Sequence, residues 1–262
     1  MSTFAMHVAK TGLNSQQVKM QVIANNLANV NTTGFKSDRA NFESLLYQIL
    51  RGAGENTSEN TSLTSGLSVG TGTRLLNTSK LFTQGSLIDT GNSLDMAVEG
   101  DGFFQVLMPD GQIGYTRSGA FSRNAEGVVT TASGYPLQPE IQIPEDATSI
   151  NVSSDGIVTV QMPGAVDAEE VGQITLADFP NKQGLQPNGE SMLSETAASG
   201  APIIANPFQE GMGRLVQGAV ESSNVNVVQQ LVDMIETQRA YEVSSKTITS
   251  VDEMMRYIAQ NL

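Results

Sequence analysis

Apolar residues recur every three or four positions at both ends of this chain and gather into short runs broken by turns in its middle. At the N-terminus Ala9, Leu13, Gln16, Met20, Ile23, Leu27 and Val30 follow a 4-3 spacing, a heptad stripe with one polar member. The spacing predicts a helix over the first thirty residues. Gly12 weakens it by about 1 kcal/mol relative to Ala. The run Asn25 to Gly34 ends it, because Asn and Gly accept the left-handed backbone of a C-cap and chain reversal. At the C-terminus Val227, Leu231, Met234, Gln238, Tyr241, Ser245, Ile248, Asp252, Met255, Ala259 and Leu262 keep the same spacing. Ser222, Ser223 or Asn224 supplies an N-cap for that helix.

Between the helices, from about Gly85 to Phe179, the signal changes to short strands. Phe103–Leu107, Ile113–Arg117, Gly127–Thr131, Ile150–Val152, Ile157–Val160 and Gln173–Leu176 read as strands. Pro109-Asp110-Gly111 and Ser153-Ser154-Asp155-Gly156 read as the turns between them. Arg51 to Gly72 is rich in Gly, Ser, Thr and Asn and reads as an extended linker, and residues 180–215 read as irregular. The fold expected is α+β, with terminal helices pairing as a coiled coil around a β-rich middle. The expected division is 1–34 for the N-terminal helix, 35–84 for an extended connecting segment, 85–219 for a β-rich outer domain and 220–262 for the C-terminal helix.

Both stripes carry polar members, so helices of this kind take most of their stability from packing. Two readings follow: the helices order among neighbouring subunits, or they form a helical hairpin packed on the body of one subunit. On the first reading the assembly interface is Ala9, Leu13, Met20, Ile23, Leu27, Val30, Val227, Leu231, Met234, Tyr241, Ile248, Met255 and Leu262. A chain stripped of residues 1–45 and 220–262 is then expected to stay folded but to lose assembly.

Charge sharpens this picture. Residues 85–220 carry 17 acidic and 4 basic side chains, whereas the remainder is neutral. The acidic middle disfavours nucleic acid and anionic membranes as partners. The neutral ends can pack against copies of themselves without like-charge cost. There is no cysteine, which excludes disulfides and thiolate metal sites. Met1 to Val8 has neither a cationic start nor an unbroken apolar run, so it does not read as a cleavable secretory signal.

Catalytic chemistry finds little support. The sole histidine, His7, lies in the N-terminal helix near the chain end, which does not suit a Ser-His-Asp triad. The carboxylates of Asp95, Glu99, Asp101, Asp167, Glu169 and Glu170 read as a solvated acidic surface. Asp89 to Gly100 starts like a calcium loop but has Leu94 and Gly100 where the pattern needs Gly and Glu. The expectation is no cofactor, no metal and no enzyme activity.

Three blocks resemble the bacterial flagellar rod and hook family. They are Ala24-Asn25-Asn26-Leu27-Ala28-Asn29-Val30-Asn31-Thr32-Thr33-Gly34-Phe35-Lys36, Leu94 to Val106 with Tyr115-Thr116-Arg117-Ser118-Gly119-Ala120-Phe121 behind it, and Glu221 to Val228 running into Leu231 to Glu242. They come in the family's order, and the match covers nearly the whole chain. Length, the Thr237-Gln238-Arg239-Ala240-Tyr241-Glu242 stretch and the Gly/Ser-rich segment after residue 46 resemble the distal-rod type. The resemblance implies a helical tubular homopolymer that transmits motor torque to the hook, stiffened by the segment near 46–63. It implies proximal rod proteins, hook protein, rod cap, periplasmic and outer-membrane ring proteins and the type III export apparatus as partners. It implies a place in the basal body from the periplasm to the outer membrane, reached without a cleavable signal. A proximal rod protein is one alternative. A secreted β-domain with binding or hydrolytic activity and helical arms is the other.

Overall fold

The computed structural model describes residues 2–52, 56–58, 61–62, 64–164 and 167–260. Leu262 and parts of the 46–63 segment lie outside these described residues. The chain divides into two compact units, one of residues 1–27, 38–79 and 226–262 and one of residues 28–37 and 80–225.

The first unit contains α1 (Ser2–Ala28), β1 (Asp38–Ser44), β2 (Tyr47–Arg51), β3 (Asn56–Ser58), β4 (Thr61–Ser62), β5 (Leu67–Gly70), β6 (Thr73–Lys80) and, at its end, α2 (Val227–Gln260). Helix α1 buries Ser15, Ile23 and Asn26. Asn26 ties three segments: its amide donates to the Asp38 carbonyl at 2.8 Å and to Gln230 Oε1 at 3.2 Å, and its oxygen accepts from the Asp38 N–H at 2.8 Å. Helix α2 begins later than its sequence suggested. Asn226 is the cap, accepting from the Gln229 N–H at 3.2 Å, because the Asn224 side chain is engaged elsewhere. The buried positions of α2 are Thr237, whose hydroxyl donates back to the Asp233 carbonyl at 2.6 Å, and Val251.

The segment read as a linker is a ribbon. β2 pairs antiparallel with β5, with Tyr47 opposite Gly70 and Gln48 opposite Val69. β1 pairs with β6, and β3 with β4. All of β2 is solvent-exposed, so neither face shows the alternation that marks a half-buried strand. Its backbone ladder, rather than a core, holds it.

The second unit contains β7 (Leu87–Asp89), β8 (Met96–Glu99), β9 (Phe103–Leu107), β10 (Ile113–Thr116), β11 (Phe121–Arg123), β12 (Val129–Thr131), β13 (Leu137–Gln138), β14 (Ser149–Val152), β15 (Ile157–Gln161), β16 (Glu169–Gln173), β17 (Leu176–Asp178), β18 (Gln186–Gly189), β19 (Met192–Ser194), β20 (Ile203–Ala205), β21 (Arg214–Gln217) and β22 (Ala219–Glu221). Its main sheet runs β18-β19-β10-β9-β17-β20, with β13 also on β9. β9 is covered on both faces. Phe104 and Val106 enter a large cluster with Leu137, Ile143 and Leu176, while Phe103 enters a second with Tyr115, Phe179 and Leu193. The aromatic rings meet edge to face, Tyr115 on Phe179 at 4.7 Å and Phe104 on Phe121 at 5.1 Å.

The β9–β10 and β14–β15 hairpins follow the sequence expectation, and Gly156 sits at the second turn with φ +83. The expected strand over Gln173–Leu176 is split. β16 ends at Gln173, Ile174 drops into the core, and β17 begins at Leu176 in a different sheet. Residues 180–215, read as irregular, supply three short sheet strands and the first half of a fourth.

Candidate functional site

Within the second unit the three sequence blocks converge on a buried collar of charge. Thr33-Gly34-Phe35-Lys36 follows the Asn-rich turn, Arg117 follows β10, and Glu221 ends β22. Glu221 is fully buried, and Lys36 and Arg117 nearly so. The Lys36 ammonium donates to Glu221 Oε1 at 2.6 Å and to the Thr83 carbonyl at 2.8 Å. Arg117 Nε lies 3.6 Å from Glu221 Oε2, and its guanidinium sits 5.7 Å from the centre of the Phe103 ring. Backbone donors add to this: the Gly85 N–H also gives to Oε1 at 2.8 Å, and the Gly34 N–H gives to the Glu221 main-chain carbonyl at 2.8 Å. Asn224 then laces the same segments, accepting from the Ser37 N–H at 2.8 Å and donating to the Leu81 carbonyl at 2.7 Å.

Two glycines permit this closeness. A Cβ on Gly34 (φ +67) would stand 2.4 Å from the Ser118 nitrogen, and one on Gly85 would stand 2.0 Å from the Ser222 carbonyl oxygen. Neither neighbour can move without shifting backbone. Three of the four points where the chain passes from one unit to the other, 37/38, 79/80 and 225/226, fall within two residues of a segment the collar holds.

The collar's charge is balanced over six groups. Asp101 and Asp178 add to Glu221, and Lys182 bridges those two at 2.5 and 3.2 Å. Burial nonetheless dominates the cations. It pushes Lys36 and Arg117 below their ordinary pKa values, although Glu221 acts in the opposite direction on both. Tyr115, in the neighbouring cluster, is pushed up to about 12 from 10.0, first by burial and then by the Glu195 carboxylate. The folded state therefore keeps this proton where the unfolded chain releases it. Stability from Tyr115 is complete below pH 10 and is lost as pH rises toward 12, by about 2–3 kcal/mol at most. Lys36 works with the opposite sign, its lowered pKa adding stability as pH rises toward 10.5. Comparing Tyr115→Phe with the parent chain cancels that contribution. Urea midpoints measured across the alkaline range should fall in the parent and stay flatter in Tyr115→Phe.

The residues expected to form the assembly interface are distributed unevenly. On α1, Ile23 is buried and Ala9, Leu13, Met20 and Leu27 are half-buried; Val30 is half-buried in the turn beyond the helix. On α2, Met234, Ile248 and Met255 are half-buried, whereas Val227, Leu231 and Tyr241 are 38, 43 and 36% exposed. Next to them Val228, Val232 and Ile235 are 71, 45 and 50% exposed, so the first half of α2 turns an apolar stripe to solvent. Ser15, Asn26, Thr237 and Val251 are buried positions that the heptad reading passed over. For Ser15 and Thr237 the one sequence signal is a hydroxyl able to bond the helix carbonyl four residues back.

The collar also moves one expected boundary. Cuts that remove residues 1–45 and 220–262 delete Lys36, Glu221 and Asn224 and leave Arg117 buried without its acid. That fragment is not expected to keep the second unit folded, because an uncompensated buried cation is strongly destabilising.

Family models match the chain in three places. The model described as flagella basal body rod protein covers residues 6–36, the flagellar hook protein FlgE/F/G D1 domain covers 97–160, and the flagellar basal body rod FlgEFG protein C-terminal model covers 216–261. Over full length the chain is 50% identical to the flagellar basal-body rod protein FlgG of Buchnera aphidicola from Schizaphis graminum, covering 98% of each chain. The chain belongs to the flagellar basal-body rod protein family. The rod protein FlgG of Agrobacterium fabrum is 43% identical over 98% of this chain and 99% of its own length, and that of Bacillus subtilis is 35% identical over 94% of each. The collar has one contributor from each block that carried the rod-family resemblance, and Lys36 and Glu221 fall inside the N-terminal and C-terminal matches.

Proposed function

We propose that this chain is a structural subunit of the flagellar distal rod. It polymerises into a helical tube that transmits motor torque to the hook, and it acts by assembly rather than by catalysis. Full-length identity of 43–50% to rod proteins FlgG is the observation that carries this reading. The exposed apolar stripe on α2 supports it physically, since it needs a partner that one subunit does not supply. In the polymer α1 and α2 pair as a coiled coil through Ala9, Leu13, Met20, Ile23, Leu27 and Val30 against Val227, Leu231, Met234, Tyr241, Ile248, Met255 and Leu262. The ribbon of β2 and β5, with Leu46, Tyr47 and Ile49 at 88, 62 and 72% exposed, supplies the stiffening contact. Proximal rod, hook, rod cap and ring proteins are its other neighbours. It reaches them through the flagellar export apparatus without a cleavable signal, and spans the periplasm to the outer membrane.

The test is replacement in cells. A bacterium whose only copy of this chain lacks residues 227–262 should build no hook or filament and should not swim. Motility retained by that strain would overturn the reading.

A further inference from the structure

We infer that the edge of the second unit formed by β20 and the loop after it is a contact surface for a second copy of this chain. The inference rests on the self-assembly proposed above and adds a contact outside the terminal helices.

Four observations carry it. β20 is the last strand of the seven-stranded sheet and, among the described residues, pairs only with β17. Its outer edge therefore offers backbone donors and acceptors to another chain. Successive strand residues face opposite sides of a sheet, yet Ile203 and Ile204 are 49 and 52% exposed, so both sides of this edge are apolar and open. Four residues on, Phe208 is 71% exposed and held at φ +66, a conformation that a bulky side chain rarely adopts. Its N–H is fixed to the Gly213 carbonyl at 3.0 Å, and the adjacent Pro207 is buried against Gly156. A strained backbone that holds an aromatic ring out in water stabilises nothing within the subunit.

Charge identifies the occupant. The second unit carries 18 acidic and 6 basic side chains, a net of −12, so most contacts between two such units are repulsive. Residues 196–209 have no charged side chain at all. Two other uncharged runs, 127–139 and 156–166, place their strand residues Val128–Thr131, Val158 and Val160 in the core. The β20 edge is thus a window through which two acidic units can touch without like charges facing each other. A strongly basic partner would be served by the rest of the surface and would leave this neutral window without a purpose.

The chain has no cysteine, which makes a clean test possible. Ile204→Cys, Phe208→Cys and, as control, Asp110→Cys are made singly in the full-length chain and labelled with a thiol-reactive benzophenone. Illumination of the polymer should give covalent dimers at positions 204 and 208, none at 110, and none in dilute monomer. Phe208→Gly supplies a second arm with opposed signs. Glycine relieves the left-handed strain, so the monomer should melt higher, while loss of the ring should raise the concentration needed for polymerisation about tenfold. A polymer that forms normally with no links at 204 and 208, or a Phe208→Gly chain with unchanged polymerisation, overturns this surface and leaves the rod reading intact. A parent chain that never polymerises overturns the rod reading instead.

Discussion

Replacing Glu221 by alanine should destabilise the second unit by about 3–5 kcal/mol, the cost of removing one member of a buried ion cluster. The reason lies in what is left behind. Lys36 and Arg117 stay buried with no carboxylate between them, and the Gly85 N–H loses its acceptor. Glu221→Gln keeps the shape and can still accept from Gly85, so its loss should be smaller. A triple change of Lys36, Arg117 and Glu221 to apolar residues of similar volume should be milder than Glu221→Ala alone, because no charge is stranded. Urea denaturation of the four full-length chains gives the ranking. If Glu221→Ala costs under about 1 kcal/mol, the cluster is solvated in solution and the collar is not the tie described above. The same logic separates two fragments. One that keeps residues 28–37 and 80–225 should fold, whereas residues 85–219 alone should not.

The collar explains where sequence reading succeeded and where it stopped. The strand Phe103–Leu107 was legible because a run of apolar residues ends in Pro109-Asp110-Gly111, and local turn chemistry decides such a hairpin. The terminal helices were legible from their 4-3 spacing. Lys36 and Glu221, by contrast, are 185 residues apart, and nothing in the neighbourhood of either marks the other. Asn224 looked like a helix cap by residue type. Tertiary bonds to Ser37, Leu81 and Thr83 claim it first, and Asn226 caps the helix instead. The β2–β5 ribbon escaped notice for another reason. With β2 exposed on both faces, its residues are not sorted by polarity, so no period of two appears. Family resemblance located the collar's segments without revealing that they touch.

The proposed assembly face gives the other large effect. Leu231→Asp should leave the monomer's stability within about 0.5 kcal/mol, as expected for a surface substitution, because the side chain is already 43% exposed. In the polymer the same charge would be buried in a helical interface, where a central residue is worth about 2–4 kcal/mol. The concentration needed for polymerisation should therefore rise by roughly thirty- to a thousandfold. Ile248→Asp should also block assembly, but its half-buried position means that the monomer suffers too, so it discriminates less well. Glu253 is exposed and off the stripe, and Glu253→Ala should change neither property. Sedimentation of the assembled fraction against total protein, together with thermal melts of the monomer, separates the two effects. Leu231→Asp and Glu253→Ala behaving alike would place the contact on another face of α2. The neighbouring Val228, Val232 and Ile235 mark the alternative register to test next, since with Val243 they are the remaining exposed apolar positions in that half of the helix.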